Sequence, residues 1–435
     1  MKLDQPIKNI LYSIFLIGVV LLSVHLKTGA GSDGGLNIIA VLSRAQVWFL
    51  SLIVLFLFLK PKIFFIKFSI INIKRTMIIY SWPAFLFLCL ISTFISIISN
   101  DVGISKIDSS NIFQVVICFG LVLIVLNLLD KKPEHIKGIL IAMLLMPLIQ
   151  IFGILLISND LAQYIGVNDE YDFVWYFGYG ERFVGLLGNA NGVSVGCSVA
   201  FAIWLILFLN LKTISKKYYM FLTSMLLVYG ALILIMIIMT GVRASLLSIL
   251  IMSFVCFFLI SKKQKIVVFT MSMFLLFVLL VFSIQTDLFY VLQERLQQSN
   301  GRFFIWKYYL EQLAVNPLGF GLTFENVIDV TKLQTLELFT VRLTPHNAFL
   351  EVGVYTGILG IILTFVCLSA VIKSMVPIFK NSSIKLGIWY KAACVAWLGL
   401  MVNYFFGSLI YGSWYFAILS SIIVSYEHNQ KTNTF

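Results

Sequence analysis

Charged residues are scarce in this sequence. They make up 11% of the 435 residues, whereas hydrophobic residues make up 60%. Soluble globular domains carry about 25% charged residues, so the composition excludes a soluble protein. The net charge of +12 is then explained by membrane topology, and it does not predict a nucleic-acid partner.

Signatures of nucleotide and metal chemistry are also missing. The sequence has no Walker loop, no dinucleotide fingerprint, no HExxH, no GxSxG and no outer-face Asp-x-Asp pair for Mg²⁺. All six cysteines fall inside apolar runs, which leaves no pair for an outer disulfide and no Cys/His spacing for a metal. We therefore expect no cofactor and no metal. Without them, the substrate that is attacked must already carry a good leaving group.

Apolar runs of about 20 residues, long enough to cross a bilayer, recur along the whole chain. They predict an all-α integral membrane protein, with residues 1–435 forming one polytopic domain of about twelve spans. No small-residue cleavage site ends the first run, which is read as an anchor. The predicted spans are 7–26, 36–59, 77–98, 111–129, 138–157, 188–209, 218–239, 244–260, 266–284, 346–372, 388–406 and 410–426.

Lysine and arginine are distributed unevenly over the predicted loops. With the amino terminus inside, the inner loops hold 20 of these residues and the outer loops hold nine. The positive-inside rule then predicts that both termini are cytoplasmic. Five of the seven arginines nevertheless lie in outer loops. Because the guanidinium group suits bidentate binding of phosphate, the concentration of arginine in the outer loops predicts an anionic ligand on the outer side.

Two outer loops are long, namely 158–187 and 285–345. Loops of this length are usually functional or disordered. The composition of the second predicts short amphipathic helices from Leu288 to Gln298 and from Arg302 to Ala314, lying on the outer membrane face beside a cavity. Apolar residues of the latter helix fall on one face (Ile305, Trp306, Tyr309, Leu310 and Leu313).

Three outer arginines are candidates for binding an anion. Arg243 lies in the hairpin between two spans, at a predicted helix start, where a bound anion would offset an unfavourable dipole; snorkelling is the alternative. Arg182 precedes another outward-facing helix start, and an ion pair with a nearby carboxylate competes with ligand binding. Arg302 stands four residues before Trp306, so a cation–π contact is its alternative role.

His346 is one of only four histidines and is the candidate general base. It follows Thr344 and Pro345, which suit a helix cap and a first helical position, so His346 is predicted to lie in the first turn. A helix N-terminus disfavours a charged imidazole and would keep it able to accept a proton. The alternative is a histidine at the water interface.

Asn347 and Glu351 follow on the same predicted span. A carboxylate about one turn inside a span is costly and usually functional. Glu351 is four residues from Asn347 and shares a helix face with it. The pair would order a polar network or orient a sugar, unless Glu351 is simply a satisfied buried residue.

Four short motifs follow one another between residues 182 and 360, and their order resembles that of the O-antigen ligase and O-antigen polymerase superfamily. The twelve-span layout extends this resemblance to the full chain. Val242 departs from it, because relatives often have a small polar residue there. The motif residues are Arg182, Gly185 and Asn191; Thr240, Gly241 and Arg243; Arg302, Trp306, Pro317, Gly319 and Gly321; and His346, Asn347, Leu350, Glu351, Gly357 and Gly360.

The resemblance implies a metal-independent, inverting glycosyltransferase of the multi-span, GT-C-like class in the bacterial inner membrane. Its donor would be a glycan linked to undecaprenyl pyrophosphate at the periplasmic face. By that analogy Arg182 and Arg243 would hold the pyrophosphate, and His346 would take the proton of the acceptor hydroxyl. The acceptor would be a second lipid-linked repeat unit or lipid A core, and a chain-length regulator is a possible partner.

Three functions are left open. The Ile-, Phe- and Lys-rich composition resembles that of polysaccharide-cluster proteins and favours a polymerase over a ligase. A flippase for lipid-linked oligosaccharides is the competitor of another class, and it should place charges and helix breaks near the bilayer midplane. The clustering of polar groups on the predicted outer side favours an enzyme.

Overall fold

The computed structural model describes residues 5–21, 73–100, 110–157, 190–214, 218–240, 242–259, 305–323, 345–380, 386–407, 411 and 413–432. These residues are almost entirely helical and contain no strand, which confirms the predicted all-α membrane fold. Five helices are long and apolar enough to cross a membrane by length and composition. Two predicted spans, 36–59 and 266–284, lie outside the described residues, as does the 158–187 loop.

Ten of the predicted spans overlap helices in the described residues, although the predicted number of twelve spans is not confirmed. The two last spans, which only a short turn separates, are indeed distinct helices. A further helix, α8, lies within the predicted 285–345 loop, and two short helical segments, Leu211–Ile214 and Gly321–Thr323, follow α5 and α8. The helices are α1 (Gln5–Leu21), α2 (Ile73–Asn100), α3 (Ser110–Lys131), α4 (His135–Ile157), α5 (Ala190–Leu209), α6 (Tyr219–Thr240), α7 (Arg243–Leu259), α8 (305–315), α9 (Ala348–Lys380), α10 (Gly387–Phe405) and α11 (Trp414–Thr432).

The chain divides into two compact units. The first comprises Met1–Ile63, Leu128–Phe289 and Pro377–Val402. Helix α5 forms its core and packs against α4, α6 and α7. The buried Trp204 of α5 lies against Gly230 of α6 and donates its indole N–H to the Leu226 carbonyl at 2.6 Å. A glycine at 230 thus allows the two helices to approach closely.

The second unit comprises Phe64–Asn127, Tyr290–Val376 and Asn403–Phe435. At one end of it, Lys74 at the start of α2 pairs with Glu427 of α11. The Lys74 ammonium also donates to the Lys373 carbonyl of α9 at 3.3 Å. Lys74, Lys373 and Glu427 therefore lie at the same level of the second unit. Distances along its helices are given from this level.

Helix α9 folds back on itself at Gly357. This glycine has φ 67° and ψ −163°, a region that is essentially restricted to glycine. The rings of Phe349 and Phe365 stack at 5.6 Å, although 16 residues would separate them by about 24 Å along a continuous helix. Residues 348–356 therefore form a short arm that runs back along the 358–380 arm, and the prediction of one uninterrupted span over 346–372 is wrong.

The 316–323 turn fills the corner at Gly357. Phe320 N–H donates to the Val354 carbonyl at 2.7 Å, and Ile358 N–H donates to the Pro317 carbonyl at 2.9 Å. These bonds satisfy backbone groups that the break in α9 releases, as a membrane setting requires. Gly319, with φ 78°, lies directly against the backbone of Gly357. The glycines of this motif thus serve close backbone packing.

The same turn is fixed to α2 by side-chain hydrogen bonds. Leu322 N–H donates to Thr93 Oγ1 at 3.0 Å, and Thr323 Oγ1 donates to Ser96 Oγ at 2.7 Å. Thr93 lies 19 residues beyond Lys74, about 28 Å along the helix. The corner at Gly357 therefore lies at the opposite end of the second unit from Lys74, and the distance between them is close to the thickness of a hydrocarbon core, about 30 Å.

Replacing Gly357 by alanine is expected to destabilise the protein. An alanine there must adopt a conformation that costs about 1–3 kcal/mol for a non-glycine residue, and its Cβ would overlap the Pro317 carbonyl oxygen. Thermal unfolding of the purified protein in detergent measures the effect. Leu359→Ala, two residues away at a position that is 52% exposed, is the matched control. Equal melting temperatures for the two variants would contradict the importance of the corner.

The connection between α10 and α11 reaches deep into the second unit. Tyr411 is fully buried, accepts the Trp82 indole N–H on its carbonyl at 3.1 Å and places its hydroxyl 3.5 Å from Thr364 Oγ1. Trp82 and Thr364 lie eight and nine residues from Lys74 and Lys373, about 12–14 Å along their helices. Tyr411 is therefore near half-depth, where non-helical backbone must be buried in protein or line a watery cavity.

Candidate functional site

His346 lies immediately before α9 and is exposed. Its φ is 45°, a left-handed value that is uncommon for non-glycine residues although histidine is enriched there. The prediction that His346 occupies the first helical turn is wrong, because α9 begins at Ala348. Such backbone outliers cluster at functional sites, so the conformation itself singles out this residue.

Asn347 caps the helix in place of the predicted Thr344. Its Oδ1 accepts the backbone N–H groups of Phe349 at 3.0 Å and Leu350 at 3.2 Å. Asparagine is among the preferred capping residues because its side chain satisfies donors that have no partner within the helix. Asn347 is buried. Capping accounts for its position, and a role in substrate binding stays a prediction.

Glu351 is 6% exposed and belongs to the first turn of α9. It therefore lies on the short 348–356 arm, whereas the sequence predicted it inside an ordinary span. Its backbone N–H donates to the Asn347 carbonyl at 2.9 Å. A carboxylate in this position is favoured by the helix dipole, which offsets part of the cost of burying it.

His346 is set back from the corner at Gly357 along the second unit. The short arm runs back from the corner, and its Phe349 contacts Phe365. Phe365 is eight residues from Lys373, about 12 Å along the helix. The end of the arm that carries His346 is therefore near half-depth of the second unit, on the level of Tyr411.

Helix α8 confirms the helix predicted after residue 302. Ile305, Tyr309 and Leu313 are buried along one side, as expected from their spacing. Leu310, which was predicted on the same face, is 55% exposed. Leu313 lies against Gly353 of the short arm, and Trp306 contacts the backbone just before His346. The two helical segments therefore run side by side, and the opposite side of α8, which carries Lys307 and Glu311, is exposed.

Trp306 contacts both the arm and the end of α10. Its indole N–H donates to the Pro345 carbonyl at 2.9 Å. Its ring meets Phe405 edge-on at 5.8 Å and Phe406 in a tilted contact at 6.4 Å. Sequence analysis predicted only a packing or cation–π role for Trp306, because a hydrogen bond to a carbonyl 39 residues away leaves no local signal in the sequence.

The predicted arginines are only partly covered by the structure. Arg243 is the first residue of α7. This confirms that Arg243 lies at a helix start, which is the position on which its predicted role in anion binding depends. Arg182 and Arg302 lie outside the described residues, although α5 begins at Ala190 as the Arg182 motif predicted. Binding of an anion by these three residues stays a prediction.

Comparison with known protein families identifies the central part of the chain. Residues 228–365 match a family model described as O-antigen ligase. Over this stretch, which is called the O-antigen ligase domain below, the chain is similar to the O-antigen ligase family. This domain covers about a third of the chain and includes Arg243, Arg302 and His346. It confirms the superfamily predicted from the motifs. No curated protein matches the sequence.

The O-antigen ligase domain supports an enzyme of the glycan ligase or polymerase type in a membrane setting. It begins within α6 and ends within α9, eight residues past Gly357. The matched residues therefore include Arg243, which is the candidate for anion binding at the start of α7, the 316–323 turn and the short 348–356 arm. Arg182 is outside the matched residues, so its role depends on its motif alone.

Proposed function

We propose that the protein is an inverting, metal-independent glycosyltransferase that joins repeat units of O-antigen or a related surface polysaccharide, that is, an O-antigen polymerase. Its donor is a glycan linked to undecaprenyl pyrophosphate at the periplasmic face of the inner membrane, and both termini are cytoplasmic. The match of residues 228–365 to the O-antigen ligase family carries this proposal. The exposed, unusually constrained His346 within the match supports it.

The proposed chemistry assigns one proton transfer and one charge-stabilising task to the protein. His346 accepts the proton of the acceptor hydroxyl as its oxygen forms a bond to the anomeric carbon of the donor. The bond from that carbon to pyrophosphate breaks on the opposite face, which inverts the configuration, and undecaprenyl pyrophosphate leaves. Arg182, Arg243 and Arg302 stabilise the charge that develops on the pyrophosphate.

Asn347 and Glu351 have supporting roles in this proposal. Asn347 fixes the first turn of the arm through its cap, so a single side chain sets the distance between His346 and the helix. Glu351 is buried one turn further along and would order the polar groups that meet the sugar. Both roles require that the acceptor reaches the exposed side chain of His346.

A ligase that transfers the glycan to lipid A core is the second candidate, favoured by the description of the matching family. The fold-back at Gly357 and the deep Tyr411 connection are helix breaks of the kind expected of a flippase. The sequence-based case for an enzyme is the clustering of polar groups on the predicted outer side, and it stays a prediction. The family match supports an enzyme over a flippase.

Reconstitution with a purified lipid-linked repeat unit tests the proposal. The protein in liposomes receives undecaprenyl-pyrophosphate repeat units with or without lipid A core, and the glycan products are resolved by size. We expect a ladder of longer lipid-linked glycans without the core. Transfer that occurs only with the core would establish the ligase instead. Translocation of the substrate without any new glycosidic bond would establish the flippase.

A further inference from the structure

The peptide unit that leads into His346 is held by Trp306. The indole N–H of Trp306 donates to the Pro345 carbonyl at 2.9 Å, and this carbonyl belongs to the peptide bond between Pro345 and His346. The rotation of that peptide plane about the N–Cα bond of His346 is the φ angle of His346. A hydrogen bond to this peptide therefore helps to hold the φ angle of His346 at 45°.

The left-handed conformation of His346 needs such support. A non-glycine residue in this region costs free energy and persists only where its surroundings determine it from several sides. On the carboxyl side, Asn347 fixes the chain through its cap. On the amino side, the Trp306 bond is the contact that the structure shows at the Pro345 carbonyl. The two contacts together clamp His346 between fixed neighbours.

Trp306 is itself well placed to act as a fixed support. Its ring packs against Phe405 and Phe406. Its helix, α8, is anchored by the buried Ile305, Tyr309 and Leu313. At the end of α8 the 316–323 turn locks into the corner of α9. Helix α8 is therefore held next to the short arm at both of its ends: Trp306 contacts the peptide that leads into His346, and the 316–323 turn contacts the corner at Gly357.

We propose that Trp306 is a positioning residue for His346: its indole N–H orients the Pro345–His346 peptide so that the imidazole meets the acceptor hydroxyl. This inference rests on the proposed function. It predicts that removal of the N–H alone misdirects the base without removing it. Misplacement of a reacting group by about 1 Å is sufficient to lower a rate by about 100-fold.

An isosteric replacement tests this role. Trp306→3-benzothienylalanine, introduced by amber suppression, keeps the fused ring and its packing but has sulfur where the indole has N–H. We expect kcat for chain extension to fall by about 10- to 100-fold, with KM for the lipid-linked donor and the melting temperature unchanged. Trp306→Phe should give the same kcat loss with a lower melting temperature. Leu310→Ala, on the exposed side of the same helix, should behave like the wild type.

Each outcome decides one question. An unchanged kcat in the benzothienyl variant would overturn the inference. A fall in kcat that comes with changes in KM and in the melting temperature would also overturn it, because that result would indicate a loss of packing alone. His346→Ala is measured beside it. An inactive His346→Ala protein with a fully active benzothienyl variant would reject the role of Trp306 and leave the proposed function intact. An active His346→Ala protein would reject the catalytic assignment itself.

Discussion

Alanine in place of His346 is expected to abolish glycan extension while the protein is still made and inserted. Loss of a general base lowers a rate by about 10²–10⁴-fold. The side chain is exposed and lies outside the helix, so the substitution removes no buried packing. Extension of lipid-linked repeat units by the reconstituted variant, beside its melting temperature, measures both parts of the prediction.

The control for this variant is His428→Ala, which removes a histidine near the carboxyl end of α11. It should retain full activity. A rate for His346→Ala within a few-fold of the wild type would show that another group takes the proton. Because alanine also removes any hydrogen-bonding role, His346→Gln is the sharper companion: it keeps polar contacts, cannot act as a base near neutral pH, and should be as inactive.

Loss of Arg243 is expected to have the next largest effect. Arg243 is the first residue of α7, where backbone N–H groups already favour an anion. Removing a preorganised group that stabilises developing charge typically lowers kcat by about 10²–10³-fold. The same reconstituted assay with Arg243→Ala measures this loss, and titration with the lipid-linked donor separates kcat from KM.

Arg243→Lys separates charge from geometry. Lysine keeps the positive charge but loses the planar fork that binds two phosphate oxygens, so activity should fall between those of wild type and Arg243→Ala. If the arginine merely snorkels to the interface, both variants should retain wild-type kcat and KM. That result would remove Arg243 from the proposed pyrophosphate site.

The spans were largely predictable from hydropathy, because runs of about 20 apolar residues have few alternatives to a membrane helix. The start of α7 at Arg243 and the start of α5 near the Arg182 motif were also predicted. The ends of the helices were predicted less accurately. Helix α11 extends to Thr432, although its last turns are polar, since a helix continues into water beyond the end of an apolar run.

The environment of His346 was not predictable in the same way. Local capping rules favoured Thr344 and Pro345 as the helix start, whereas the structure uses Asn347 as the cap. All are acceptable in local terms. The choice depends on the Trp306 bond to Pro345 and on the packing of the short arm, which involve residues far away in the chain.

The sequence by itself determined that this is a helical membrane protein, which superfamily its central part resembles, and which histidine and arginines are candidates for the chemistry. These features depend on composition, on apolar length and on the order of short motifs, all of which are local along the chain. Only the tertiary structure decided that α9 folds back at Gly357 and brings His346 to half-depth. Both arms are apolar, so hydropathy cannot distinguish a hairpin from one span. The corner exists because the 316–323 turn supplies the hydrogen bonds that the broken helix has lost.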